Sequence, residues 1–144
     1  MTQHRTHIMR DPGVAGLEKV EAGLQDNGLP PLLRHLVKLR VSQINGCAFC
    51  VDMHTREARE DGETNQRLDR LVVWRNVRDF SPAEMSALAW AEALTTRGDG
   101  ADLAALHDQL AGHFSHDDIA ALTMTTVMIN SWNRLQVATH HGNF

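Results

Sequence analysis

The sequence contains no tyrosine, and its other aromatics are few: four phenylalanines and three tryptophans. Platforms that stack nucleobases need aromatics interleaved with basic residues. Here 14 lysines and arginines face 18 acidic residues, mixed along the chain with no basic run, for a net charge of −4. Nucleic acid is therefore not an expected partner. Long apolar runs are also missing. The longest uncharged stretch, Ile119 to Asn133, contains Thr, Ser and Asn and falls short of the roughly 20 apolar residues of a spanning helix. No membrane span is expected. The opening MTQHRTHIMRDPG is polar and lacks the apolar core of a secretory signal. These absences lead to an expectation of a soluble cytoplasmic protein. Cysteine is scarce too: there are two. A chain of 144 residues can bury a core without disulfide staples, so one domain over residues 1–144 is expected. In a reducing compartment a cysteine pair is more often catalytic or metal-binding than structural.

What is present is helical periodicity almost throughout, and no segment alternates with period two. Val14 to Asn27 places Leu17, Val20 and Leu24 on one face, with Gly28 as a stop. Pro30 and Pro31 open a second helix with a stripe of Leu33, Leu36, Val37, Val41 and Ile44, and Asn45-Gly46 ends it. A third helix is expected from about Cys47 to Asp61, closed by Gly62, and a shorter one from Asn65 to Trp74. Ser81-Pro82-Ala83-Glu84 spells a capping box with proline at the first helical position. The helix it starts stops at Arg97-Gly98-Asp99-Gly100. Leu103 to Leu110 and Asp117 to Thr139 complete the set, the last capped by Ser115 and Asp118. That last helix is apolar on most sides in its middle. This pattern suits a central helix or one shared with a partner chain. The fold class is all-α.

The stretch INGCAFCVDMH, Ile44 to His54, holds both cysteines as a CxxC with a histidine four residues later. On a helix starting near Cys47, residues 47, 50 and 54 share one face. Amide donors and the dipole at a helix start favour a thiolate. His54 is placed to take a thiol proton or to pair with the thiolate. Gly46 removes side-chain bulk just before the pair. The same residues also fit half of a zinc site, whose other ligands here would have to be histidines, or a chance CxxC on a buried helix. His140-His141 reads as a solvated chain end, and His113 and His116 as capping residues at a helix junction. The acids Glu57, Glu60, Asp61 and Glu63, interleaved with arginines, read as a solvated face.

The run LVKLRVSQINGCAFCVDMHTREAR resembles the core of the AhpD-like alkylhydroperoxidases, in the carboxymuconolactone decarboxylase superfamily. RLDRLVVWRNVRDFSPAEMSALAWAEALT and DDIAALTMTTVMINSWNRLQVA are similar to the segments C-terminal to the CxxC in small members, so the resemblance spans roughly Leu29 to Ala138. It implies an AhpD-like bundle of six or seven helices that assembles as a homo-oligomer, a trimer or hexamer. It also implies peroxidase or disulfide reductase chemistry without metal or organic cofactor. The partners it implies are a hydroperoxide substrate and an external dithiol reductant. Cys47 and Cys50 match the redox pair and His54 the relay histidine. The family's relay also uses a glutamate twelve residues before the first cysteine, where this chain has His35. A histidine there can pass a proton or bond His54, but supplies no fixed negative charge. Where some members carry a histidine between the cysteines, this chain has Ala48 and Phe49.

The catalytic set read from the sequence is thus Cys47, Cys50, His54 and His35. The offset from Cys50 to His54 assigns Cys50 as nucleophile and Cys47 as resolving thiol. The reverse stays open, because Cys47 is nearer the helix terminus. His35, Trp74 and Asn133 are candidate pocket residues. Two alternatives remain: a lyase like the decarboxylase branch, which needs no thiol pair, and a non-enzymatic zinc or thiol-redox module.

Overall fold

The computed structural model describes residues 6–97 and 100–140. Seven α-helices are found among them, and no strand. They are α1 (Pro12–Leu24), α2 (Pro31–Ile44), α3 (Ala48–Glu60), α4 (Asn65–Arg70), α5 (Pro82–Thr95), α6 (Leu103–Ala111) and α7 (His116–His140). A 3₁₀ turn, Thr6–Arg10, precedes α1, and another, Leu71–Asn76, comes after α4. The all-α reading is therefore correct, with the expected helices in the expected order.

Helix starts are set by side chains that satisfy free amides. Ser81 Oγ accepts from Glu84 N–H at 3.1 Å while Glu84 accepts from Ser81 N–H at 2.8 Å, the capping box that the sequence spells. Ser115 and Asp118 do the same for α7. One expected helix breaks early. Residues 65–74 divide into α4 and a tighter turn in which Val73 leaves helical geometry (φ −121°, ψ 29°). The β-branched pair Val72-Val73 is exposed and gains no packing from continuing the helix.

The centre of the bundle is α2. Leu33, Val37 and Val41 face a core cluster with Trp90, Ala91, Leu122 and Ile129. Leu36 and Leu39 face a second cluster with Ala58, Leu71, Trp74 and Leu88. Among the polar residues of α2, Arg34, His35 and Lys38 lie together on a third side near the site, while Arg40 pairs with Glu92 at 2.7 Å. The last helix is less fully enclosed than its composition implies. Leu122, Thr126 and Ile129 point inward, whereas Met124 and Val127 are 42% and 49% exposed. Gly98, Asp99 and His141, which figure in the sequence reading, lie outside the described residues.

Candidate active site

Two glycine turns place the site. Gly46 adopts φ +66°, a left-handed conformation that favours glycine. Cys47 N–H bonds Ser42 C=O at 3.1 Å and Gly46 N–H bonds Gln43 C=O at 3.2 Å, which is a Schellman end for α2. A Cβ built on Gly46 meets nothing within 4 Å. Its requirement is thus conformational, and the expected role of sparing side-chain bulk is not what the structure shows. The same motif closes α3: Gly62 has φ +99°, and Glu63 N–H bonds Ala58 C=O at 2.9 Å. The first turn delivers Cys47 to the start of α3, and the second holds Asp61 at its end.

Cys47 is the N-cap of α3, and its Sγ accepts from Cys50 N–H at 3.3 Å. Cys47 and Cys50 are joined as a disulfide with Cα atoms 5.3 Å apart, within the ordinary span for such a bond. Both are 1% exposed. The buried Asn133 braces the turn from behind, donating to Ser42 Oγ at 2.9 Å and accepting from Asn45 at 3.0 Å.

His54, also buried, lies one turn beyond Cys50. Its Nδ1 is 3.0 Å from Glu57 Oε2. The same oxygen is 4.0 Å from His35 Nδ1, on α2. His35 Nε2 in turn is 2.6 Å from Asp61 Oδ2. Histidine and carboxylate alternate from the buried thiols to the exposed end of α3. The hydrogen bond to His54 holds the Glu57 carboxyl below the usual carboxylate range. Burial opposes this, and the charges of His54, His35 and Lys38 reinforce it. These groups do not converge on one point: among the described residues no three of His, Cys, Asp or Glu are placed to hold a metal ion together.

A cavity of about 620 Å³ opens onto this row. Cys50, His54, His35, Glu57 and Asp61 line it, and Met9, Phe49, Met53 and Trp132 supply apolar wall. Cys47 is not in the lining. Lys38 reaches Glu21 at 2.6 Å, and Trp132 donates to the other oxygen of that carboxylate. Arg34 donates to the carbonyls of Leu24, Gln25 and Leu29.

Two candidate pocket residues belong elsewhere. Trp74 is buried in the second core cluster and donates to Glu92 at 2.9 Å. Asn133 lies behind the cysteine turn. A bulky indole and a fully buried amide are both accounted for by packing and hydrogen bonding. The acidic cluster is also more than a solvated face: Glu57 and Asp61 bond the two histidines, and Glu63 is buried against Arg67 at 2.8 Å. The sequence does carry a signal for this. Positions 47, 50, 54, 57 and 61 step by 3, 4, 3 and 4 along α3, a single helical face.

Fold and site together define a helical bundle of AhpD-like form, with a CxxC pair at a helix start. The model of the carboxymuconolactone decarboxylase family matches residues 14–93, and the chain belongs to that family. An uncharacterised protein of Bacillus subtilis (strain 168), YdfG, is 41% identical over 105 residues, covering 73% of this chain and 71% of its own. A protein of unknown function from Agrobacterium tumefaciens, ATU0492, has been provisionally classed as the antioxidant defence protein AhpD. Its crystal structure superposes with a TM-score of 0.89 at 34% identity over 95% of both chains. The debrominase Bmp8 shares the fold, with a TM-score of 0.81 at 18% identity over 92% of this chain and 72% of that one.

Proposed function

We propose that the protein is a thiol-dependent peroxidase and disulfide reductase acting through Cys47 and Cys50. The observation that carries this reading is the unequal placement of the two thiols. Cys50 borders the cavity beside His54, while Cys47 sits behind it at the helix cap. In the reduced protein, Cys50 gives its proton to His54. Glu57 occupies Nδ1, so Nε2 is the nitrogen that receives it. The thiolate attacks the terminal oxygen of a hydroperoxide and the O–O bond breaks. Cys50 becomes a sulfenic acid, and the departing alkoxide takes the proton from His54 to leave as an alcohol. Cys47 then attacks the Cys50 sulfur; hydroxide leaves with the Cys47 proton as water, and the disulfide forms. An external dithiol restores both thiols by exchange. A cavity of about 620 Å³ with apolar wall suits an organic hydroperoxide with a hydrocarbon body.

The test combines turnover with reactivity. The reduced protein consumes cumene hydroperoxide in the presence of dithiothreitol. Its faster thiol alkylates with a pH midpoint at least about one unit below the 8.5 of free cysteine. In His54→Ala that midpoint rises toward the free value and turnover drops about 10²-fold or more. No turnover, together with a midpoint near 8.5 in the unaltered protein, rejects the proposal.

A homo-oligomer is part of the same proposal, in keeping with the exposed Met124 and Val127 on α7. In light scattering after gel filtration the protein elutes as a trimer or hexamer, and a Met124→Glu, Val127→Glu double variant elutes smaller. A monomeric unaltered protein contradicts it.

A further inference from the structure

We infer that Glu57 is the residue that positions and charges His54, supplying from α3 itself the negative charge that His35 cannot supply from α2. This deepens the peroxidase reading and rests on it. The geometry is direct. Glu57 Oε2 lies 3.0 Å from His54 Nδ1, which fixes the tautomer and leaves Nε2 for the thiol. A carboxylate at this distance holds the ring in place and faces the positive charge that the ring carries once it takes a proton. Glu57 has a second neighbour. His35 Nδ1 is a buried nitrogen with no hydrogen-bond partner, 4.0 Å from the same oxygen. His35 is turned this way by Asp61, 2.6 Å from its other nitrogen.

Asp61 therefore backs Glu57 at one remove, through His35, and touches His54 not at all in this arrangement. The other charges bordering the cavity are Arg34 and Lys38 from α2 and Glu18 and Glu21 from α1; α7 contributes the uncharged Trp132 and Gln136. Lys38 is engaged by Glu21, and Arg34 by backbone carbonyls. This leaves Glu57 as the carboxylate in contact with His54. When Cys50 ionises, its proton rests on His54 and Glu57 remains a carboxylate. When an alkoxide leaves, the same proton returns from His54 to the alkoxide oxygen.

The test is Glu57→Gln compared with Asp61→Asn, each removing one charge from the same helix face. Glutamine keeps an oxygen able to accept from Nδ1, so a purely steric role survives the change and a role of charge does not. The readout is the pH profile of Cys50 alkylation in the reduced protein. In Glu57→Gln thiol reactivity at pH 6 falls about tenfold, with the urea midpoint unchanged. In Asp61→Asn the loss is less than about a third as large. Equal losses in the two variants, or an unchanged profile in Glu57→Gln, overturn the inference. This readout uses no peroxide. A protein without turnover whose Glu57→Gln profile still shifts refutes the peroxidase reading alone, and a peroxidase with an unshifted profile refutes this inference alone.

Discussion

In a Cys50→Ser protein, dithiol-dependent turnover of an organic hydroperoxide falls by about 10³-fold or more. Removing a nucleophile that forms a covalent intermediate generally costs at least that much. Cys47→Ser gives a different result. It still consumes close to one equivalent of hydroperoxide in a single turnover and then stops with Cys50 trapped as a sulfenic acid, because the resolving thiol is gone. The asymmetry comes from the cavity, which Cys50 lines and Cys47 does not. The helix cap adds to it: the Cys50 amide donates to Cys47 Sγ at 3.3 Å, which holds Cys47 at the cap as the sulfur that leaves when external dithiol attacks Cys50. Single-turnover peroxide consumption, with a sulfenic-acid probe, separates the two variants. Were Cys50→Ser to burst normally and Cys47→Ser to stay inert, the roles would be reversed. Activity that survives loss of both thiols would point to the lyase alternative.

The largest effect on stability is expected at Asn133. Its side chain is fully buried and joins Ser42 and Asn45 on either side of the α2 terminus. In Asn133→Ala two hydrogen bonds disappear and a small cavity forms. Ser42 and Asn45 keep their bonds to Lys38 and Asn130, so each lost bond costs about 0.5–1.5 kcal/mol, and the lost volume adds to this. The sum, about 2–4 kcal/mol, is a large share of the roughly 5–15 kcal/mol that holds a domain of this kind folded. Urea titration of the reduced protein should show the midpoint falling with an unchanged slope. A loss under about 0.5 kcal/mol would mean that the turn before Cys47 holds without this brace. The oxidised protein is a poorer test, because the disulfide itself constrains the turn.

How much of this was legible in the sequence depended on the range of the forces involved. Helix starts at Ser81 and Ser115 and stops at Gly46 and Gly62 are local, and the residues that make them lie within a few positions of one another. The CxxC and His54 are likewise one stretch of one helix. His35 was harder. Its place opposite His54 depends on how α2 packs on α3, which no local pattern encodes, and the resemblance supplied it. Glu57 and Asp61 were hidden for another reason. Arginines surround them in the sequence, and their charges alone fit solvent as well as they fit two histidines. Trp74 failed as a pocket residue because an indole suits the interior equally well, and its ring hydrogen found Glu92, eighteen residues later.

The walls of the cavity come from two parts of the chain, one inside the span of the family model and one outside it. The segment that matches the family model, residues 14–93, carries both cysteines, both histidines and both carboxylates of the row. Met9, Ile129, Trp132 and Gln136, which close the cavity from the other side, all lie outside that segment. The row of ionisable side chains thus stands wholly in the first stretch, while Trp132 stands in the second, so a substitution at Trp132 is expected to reshape the cavity and leave the row from Cys50 to Asp61 in place.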